Sequence, residues 1–346
     1  MERVLKNYKL LFLVLLILLF IVMTFSITLG SVSLKSEQVW KIVINNMMKK
    51  EIFLKDWKSN IEIIVWKLRV PRVITGVLAG ASLSLIGILM QCLTKNPLAS
   101  PYILGISAGA STGAVGAILF LGGSLLFISG GAFLMGTFTS ILVFYLAGRN
   151  GEFSSTKLVL IGVAISSLFS GITTLMITLA PQGQKIQGAL FWLAGSLAGS
   201  NWSYIPLMTI SLILGVLVCF YYYKELNILT TGDEIASTMG VDIEKLRIII
   251  VIISTLLTGI VVSNTGVIGF IGLVIPHITR GIVGGNHKKV IPIAVVLGGI
   301  FLLLTDIFTR VLFKSQEIPI GVITSIMGAP FFLQMLKNKN YKFGGK

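Results

Sequence analysis

About ten apolar stretches, each near the length a helix needs to cross the hydrocarbon core of a bilayer, divide this sequence. A chain built this way has few folds open to it. The stretches lie near residues 10–29, 70–92, 100–121, 128–148, 158–180, 203–223, 246–263, 267–283, 290–312 and 319–336. The eighth is short and rich in glycine. Of 346 residues, 55% are hydrophobic and 12% charged, about half the charged fraction of a soluble chain. We therefore expect an all-α membrane protein: a polytopic bundle of about ten transmembrane helices in a single domain over residues 1–346.

Charge sets the expected orientation. The run after MERVLKNYK is too long for a signal peptide and lacks a small-x-small cleavage site, so it reads as an uncleaved first span with Arg3, Lys6 and Lys9 inside. An even span count puts both termini on one side, and the basic tail 337–346 makes that side cytoplasmic, at the cell membrane. Arg149, Lys157, the 224–247 segment and the His287-Lys288-Lys289 run then fall inside. Residues 31–69 fall outside and resist the rule: Lys35, Lys41, Lys49, Lys50, Lys55, Lys58 and Lys67 face only Glu37, Glu51, Asp56 and Glu62. The net charge of +15 sits mostly at span ends, where it meets anionic lipid headgroups. No basic patch with interleaved aromatics marks a nucleic-acid partner.

Small residues are spaced for close helix contact. Gly105, Gly109 and Gly113 form a GxxxGxxxG row, and Gly195 with Gly199 repeats the interval. Cys92 and Cys219 are far apart in apolar surroundings and read as small buried hydrophobes. No phosphate-binding loop and no His/Cys/carboxylate cluster with metal spacing occurs, so no catalytic residue, metal ligand or cofactor is expected.

Three motifs stand out in order. Arg69-Val-Pro-Arg72 heads a span that runs on into QCLTKNPLASPYILGISAGASTG; GFIGLVIPHITR follows at 269–280, and IPIGVITSIMGAPFF at 318–332. In this order they resemble the FecCD family of ABC-importer permeases, which move iron chelates, haem and cobalamin. The resemblance covers most of the chain from Arg69 onward. It implies the type II ABC importer permease fold, a second permease subunit (identical or related), two separate ATPase subunits and an extracytoplasmic substrate-binding protein.

Several residues carry expected roles. Thr231-Gly-Asp-Glu234 reads as a capping box, Gly240 as a left-handed stop, and Asp242 as the start of another short helix. The loop should expose Ile235 and Met239. By resemblance, Thr231, Gly232, Asp233, Glu234, Ile235, Ala236, Met239 and Gly240 form the contact for the ATPase. Arg69, Arg72 and Arg310 fall at outer span ends and suit carboxylates of a docking protein. Headgroup anchoring, or an i,i+4 pair between Arg310 and Asp306, is the plainer reading. Ser154, Ser155 and Thr156 match the family's cytoplasmic gate and would equally serve as an N-cap. Asp306 is the one acid well inside a span and His277 a lone histidine; structural roles are expected for both. An ion-coupled secondary transporter with broken mid-membrane helices is the alternative, but it would normally need more buried acids than Asp306.

Overall fold

The computed structural model describes residues 7–30, 34–148, 154–181, 183–312 and 317–337. Arg3, Lys6, Arg149 and the tail beyond residue 337 lie outside these. The described residues form fourteen helices and no strand. In chain order they are α1 (Tyr8–Thr28), α2 (Ser36–Met48), α3 (Ser59–Thr94), α4 (Ile106–Phe120), α5 (Leu125–Gly148), α6 (Ser155–Leu179) and α7 (Gln184–Leu193). Then come α8 (Ile205–Tyr221), α9 (Tyr223–Leu229), α10 (Asp233–Thr238), α11 (Ile243–Thr265), α12 (Ile271–Val283), α13 (His287–Leu312) and α14 (Ile320–Lys337).

Each of the ten apolar stretches is a helix, but they are not ten equal spans. Among the described residues six helices are long and apolar enough to cross a membrane, and α8 with α9 makes a seventh if the pair, bent by 67°, counts as one. The stretches at 100–121, 267–283 and 319–336 are shorter helices. At 1.5 Å per residue, the 15 residues of α4 cover only about 22 Å. The cause is local. Pro101–Leu104 forms a 3-10 turn that ends on Gly105 at φ +70°, and α12 is preceded by Gly266 and by Phe270 at φ +65°. Such irregular backbone at membrane depth must be covered by protein, and it is. The Tyr102 hydroxyl donates to the Ile268 carbonyl, and Ser196 N–H donates to Thr265 C=O at 2.8 Å.

α3 is the centre of the bundle. Its apolar window is 89% buried, against 22% for α6 at the edge. The helix runs 36 residues without a break because the turn at Ile63–Arg69 opens to π spacing just ahead of Pro71. Proline has no N–H to give, and the wider turn absorbs the mismatch. Close packing comes from glycine: a Cβ on Gly87 would sit 1.8 Å from the Gly272 carbonyl oxygen of α12. In lipid, such approach replaces the hydrophobic drive that water would supply.

Two members of the glycine row at 105–113 work the same way, while Gly105 lies in the turn before α4. A Cβ on Gly113 would lie 2.0 Å from the Gly131 oxygen, and one on Gly109 would lie 2.5 Å from the Met135 oxygen, so α4 and α5 touch backbone to backbone. The second interval does not form a helix row. Gly195 and Gly199 lie past the end of α7; Gly195 turns at φ +73° against the Val267 carbonyl, and Gly199 faces open space.

Two helices lie between the spans without a sequence signal of their own. α7 packs Ile186, Trp192 and Leu193 on Val115 and Leu119 of α4. α2, in the lysine-rich segment, buries Val39, Ile42 and Val43 against Val65, Val70 and Val73 of α3. Part of its excess charge is neutralised locally. Lys41 pairs with Glu37 at 2.7 Å and Asp56 at 3.4 Å, and Lys55 pairs with Glu62 at 3.4 Å. The hydrogen bond to Glu37 pushes the Lys41 ammonium above its ordinary value.

Candidate functional site

The three arginines singled out in the sequence converge at one end of the bundle. Arg69, Arg72 and Arg310 line one recess of about 290 Å³ together with Gly30, Ile64, Leu68, Ala198 and Glu317. Their side chains already have partners. Arg69, only 6% exposed, donates to the carbonyls of Ile27 at 2.9 Å and Thr28 at 2.7 Å, closing the C-terminus of α1. A cation there also faces the negative end of the helix dipole. Arg310 makes the i,i+4 pair with Asp306 at 2.9 Å and donates to Leu29 and Ser26 at the same helix end.

Arg72 holds the same carboxylate from another helix. Its guanidinium meets Asp306 at 3.0 Å and also pairs with Glu317. Asp306 is fully buried, between two cations. A buried charge persists only when paired this closely, which accounts for an acid deep within α13. The sequence reading found the Arg310 partner but not Arg72 or Glu317, because no spacing rule links positions so far apart.

At the other end of α3 lies the 224–247 segment. It folds compactly, with one difference from the capping expected. The Thr231 hydroxyl turns back to the Ile228 carbonyl at 2.7 Å, and Gly232, at φ +130°, takes the N-cap position of α10 with no side-chain cap. Thr231 and Glu234 therefore form no capping box. The end of α9 takes the Thr231 backbone N–H as well, which donates to the Ile228 carbonyl at 3.0 Å. Gly240 does adopt the left-handed stop, at φ +77°. Asp242 does cap a helix, accepting from Lys245 N–H at 3.0 Å. That helix is the 23-residue α11 rather than a short one.

α10 and its C-cap present Ile235 and Met239, 50% and 61% exposed, and the helix buries only Ala236. Asp233 fixes its start: one carboxylate oxygen takes Lys95 at 2.6 Å and Arg247 at 2.8 Å. The Lys95 contact was not legible in sequence. The neighbouring polar groups also join separate elements. Asn227 accepts from the His287 backbone N–H at 2.8 Å, and Arg280 donates to Gln91.

Ser154 stands at the N-cap of α6 but its hydroxyl makes no cap bond; Ser155 instead donates to the Leu93 carbonyl at 3.3 Å, and Thr156 is exposed. His277 packs its ring edge-on against Phe331, centroids 6.3 Å apart. Cys92 and Cys219 are both free and buried.

Comparison with known proteins agrees with this architecture. The FecCD transport family matches residues 16–338. The cobalamin import system permease protein BtuC of Halobacterium salinarum is 34% identical over 281 residues, covering 81% of this chain and 75% of the relative. The Fe(3+)-citrate import system permease protein YfmD of Bacillus subtilis is 34% identical, covering 85% of this chain and 87% of its own. A solved metal-chelate type ABC transporter in an inward-facing conformation superposes with a TM-score of 0.81 at 30% identity, over 94% of this chain and 98% of that one. With its apolar spans and three motifs in place, the chain belongs to the FecCD transport family and is a multi-pass membrane permease of an ABC importer.

Proposed function

We propose that this permease admits an iron chelate or a related metal complex to the cytoplasm, driven by ATP hydrolysed on a separate subunit. The observation that carries the reading is α10: two exposed apolar side chains, Ile235 and Met239, on a short helix held at Asp233 by two cations. Large apolar groups displayed on a fixed mount suit a groove in a partner protein. In this reading Thr231–Gly240 meet the ATPase, both termini are cytoplasmic, and the recess at Arg72 receives carboxylates of the binding protein. Ser154, Ser155 and Thr156 close the inner exit.

A second permease, identical or related, completes the pathway along α6. That helix is largely uncovered, its residues carry one charge, Lys157, and the hydroxyls of Ser167, Thr174 and Thr178 bond to carbonyls of their own helix at 2.9, 3.0 and 2.9 Å. A face of apolar and self-satisfied hydroxyl groups would let a bulky complex pass without a tight site. The related permeases named for cobalamin and ferric citrate support a metal complex as cargo.

The test is uptake into proteoliposomes holding the permease, its ATPase and the binding protein. We expect accumulation of a radiolabelled ferric chelate that needs ATP inside the compartment corresponding to the cytoplasm. Uptake driven by an ion gradient with an inactive ATPase would overturn the proposal.

A further inference from the structure

α3 carries one charge pair within its length, at Arg72, and another just past its C-terminal end, at Lys95. Within the helix Arg72 meets Asp306 at 3.0 Å; at the C-cap Lys95 meets Asp233 at 2.6 Å. The 23 residue steps from Arg72 to Lys95 span about 35 Å of helix, through the most buried span of the bundle. The helix packs backbone to backbone against α12 at Gly87, a contact through which a shift of one would press on the other.

The inner end is built to aim one ammonium. Lys95 takes a left-handed conformation, φ +51°, and its N–H bonds to the Cys92 carbonyl at 3.3 Å. A non-glycine residue adopts that conformation rarely. The turn beyond it is braced twice. Asn96 accepts from Leu98 N–H at 2.9 Å, and the Gln91 amide donates to the Pro97 carbonyl at 2.8 Å. Lys95 is 24% exposed and its partner Asp233 42%. At that exposure ion pairs add little to folding stability. Stability alone is therefore a poor reason for the arrangement. Its effect is mechanical: Asp233 is the first residue of α10, and Lys95 ties that residue to α3 while Arg247 ties it to α11.

We propose that Lys95 is the positioning residue through which movement of α10 on the ATPase is passed to α3, and so to the outer recess at Arg72. The inference deepens the importer reading above and rests on it. Docking of the binding protein and nucleotide hydrolysis are then linked through one helix, and by linkage the influence runs in both directions.

The experiment uses the complete complex of permease, ATPase and binding protein in nanodiscs. Its readout is the ratio of ATPase rates with and without ligand-loaded binding protein. Lys95→Met should assemble in normal yield while that ratio falls by roughly fivefold or more, the lower end of typical couplings. Lys95→Arg, which keeps the charge, should restore most of it. An unchanged ratio in Lys95→Met overturns the proposal. Failed assembly of both variants also overturns it, since a merely structural residue would behave that way. A wild-type complex that shows no stimulation would remove the importer reading itself, whatever the variants do.

Discussion

Arg72 on α3 and Asp306 on α13 meet at 3.0 Å although 234 positions separate them in the chain, and Asp306 is wholly buried. Arg310 closes on the other carboxylate oxygen at 2.9 Å. One acid therefore pins two spans and, through Arg310 and Ser26, the end of α1. Removing one member of a buried pair typically costs about 3–5 kcal/mol, because the remaining charge is left without a counterpart. Asp306→Asn should lower the thermal midpoint of the purified permease by many degrees. It should also weaken docking of the binding protein, since both Arg72 and Arg310 lose their anchor. An unchanged midpoint would show that the network does not hold these helices.

Arg69, Arg72 and Arg310 should not behave alike. Arg69 is spent on the carbonyls of Ile27 and Thr28, so Arg69→Ala should reduce stability more than docking. Arg72 also faces the recess, paired there with the half-exposed Glu317, a carboxylate that an incoming acidic side chain could replace. Arg72→Glu should weaken binding-protein affinity by more than the roughly 0.2–1 kcal/mol of an exposed pair and within the roughly 1.5–7 kcal/mol range of interfacial ones. Affinity measured across a salt series checks this. Equal, salt-independent losses for Arg69→Ala and Arg72→Glu would assign both to folding.

Surface position makes the α10 prediction clean. Ile235 and Met239 project from the fold, so Ile235→Asp or Met239→Asp should change stability by no more than about 0.5 kcal/mol. Either should greatly reduce co-purification of the ATPase. Normal recovery of the ATPase with both variants would return α10 to the role of a connector.

Backbone contact between α4 and α5 leaves no room for a side chain at Gly113. Gly113→Leu should force the helices apart and lower the thermal midpoint sharply, whereas Gly199→Ala, facing open space, should leave it near wild type. Comparable midpoints for the two variants would contradict the packing described.

The spans were legible because apolar length is written locally: each of the ten stretches is a helix, and Gly109 and Gly113 do bring α4 against α5, although Gly105 lies in the turn before α4. Helix length was less legible. The shortness of α12 depends on Phe270 holding a left-handed conformation beside Gly266, which hydropathy does not register. α2 and α7 escaped because neither is apolar enough to stand out between spans. The capping box failed for a competitive reason: the Thr231 backbone N–H that Glu234 was expected to take donates instead to the Ile228 carbonyl at 3.0 Å, and Gly232 holds the N-cap position. The sites were half legible. That Arg310 pairs with Asp306 follows from helical spacing; that Arg72 joins them, or that Lys95 reaches Asp233, depends on which spans the fold sets side by side.

Because Cys92 and Cys219 are both buried, a single introduced thiol can be followed with little background. The most direct measurement of the central claim is therefore cross-linking of Met239→Cys, with Asn60→Cys at the start of α3 as its counterpart, in membranes containing permease, ATPase and binding protein. We predict that a thiol reagent joins position 239 to the ATPase and never to the binding protein, while position 60 labels from the opposite side of the membrane. Labelling of both positions from one side, or capture of the binding protein at 239, would contradict the account.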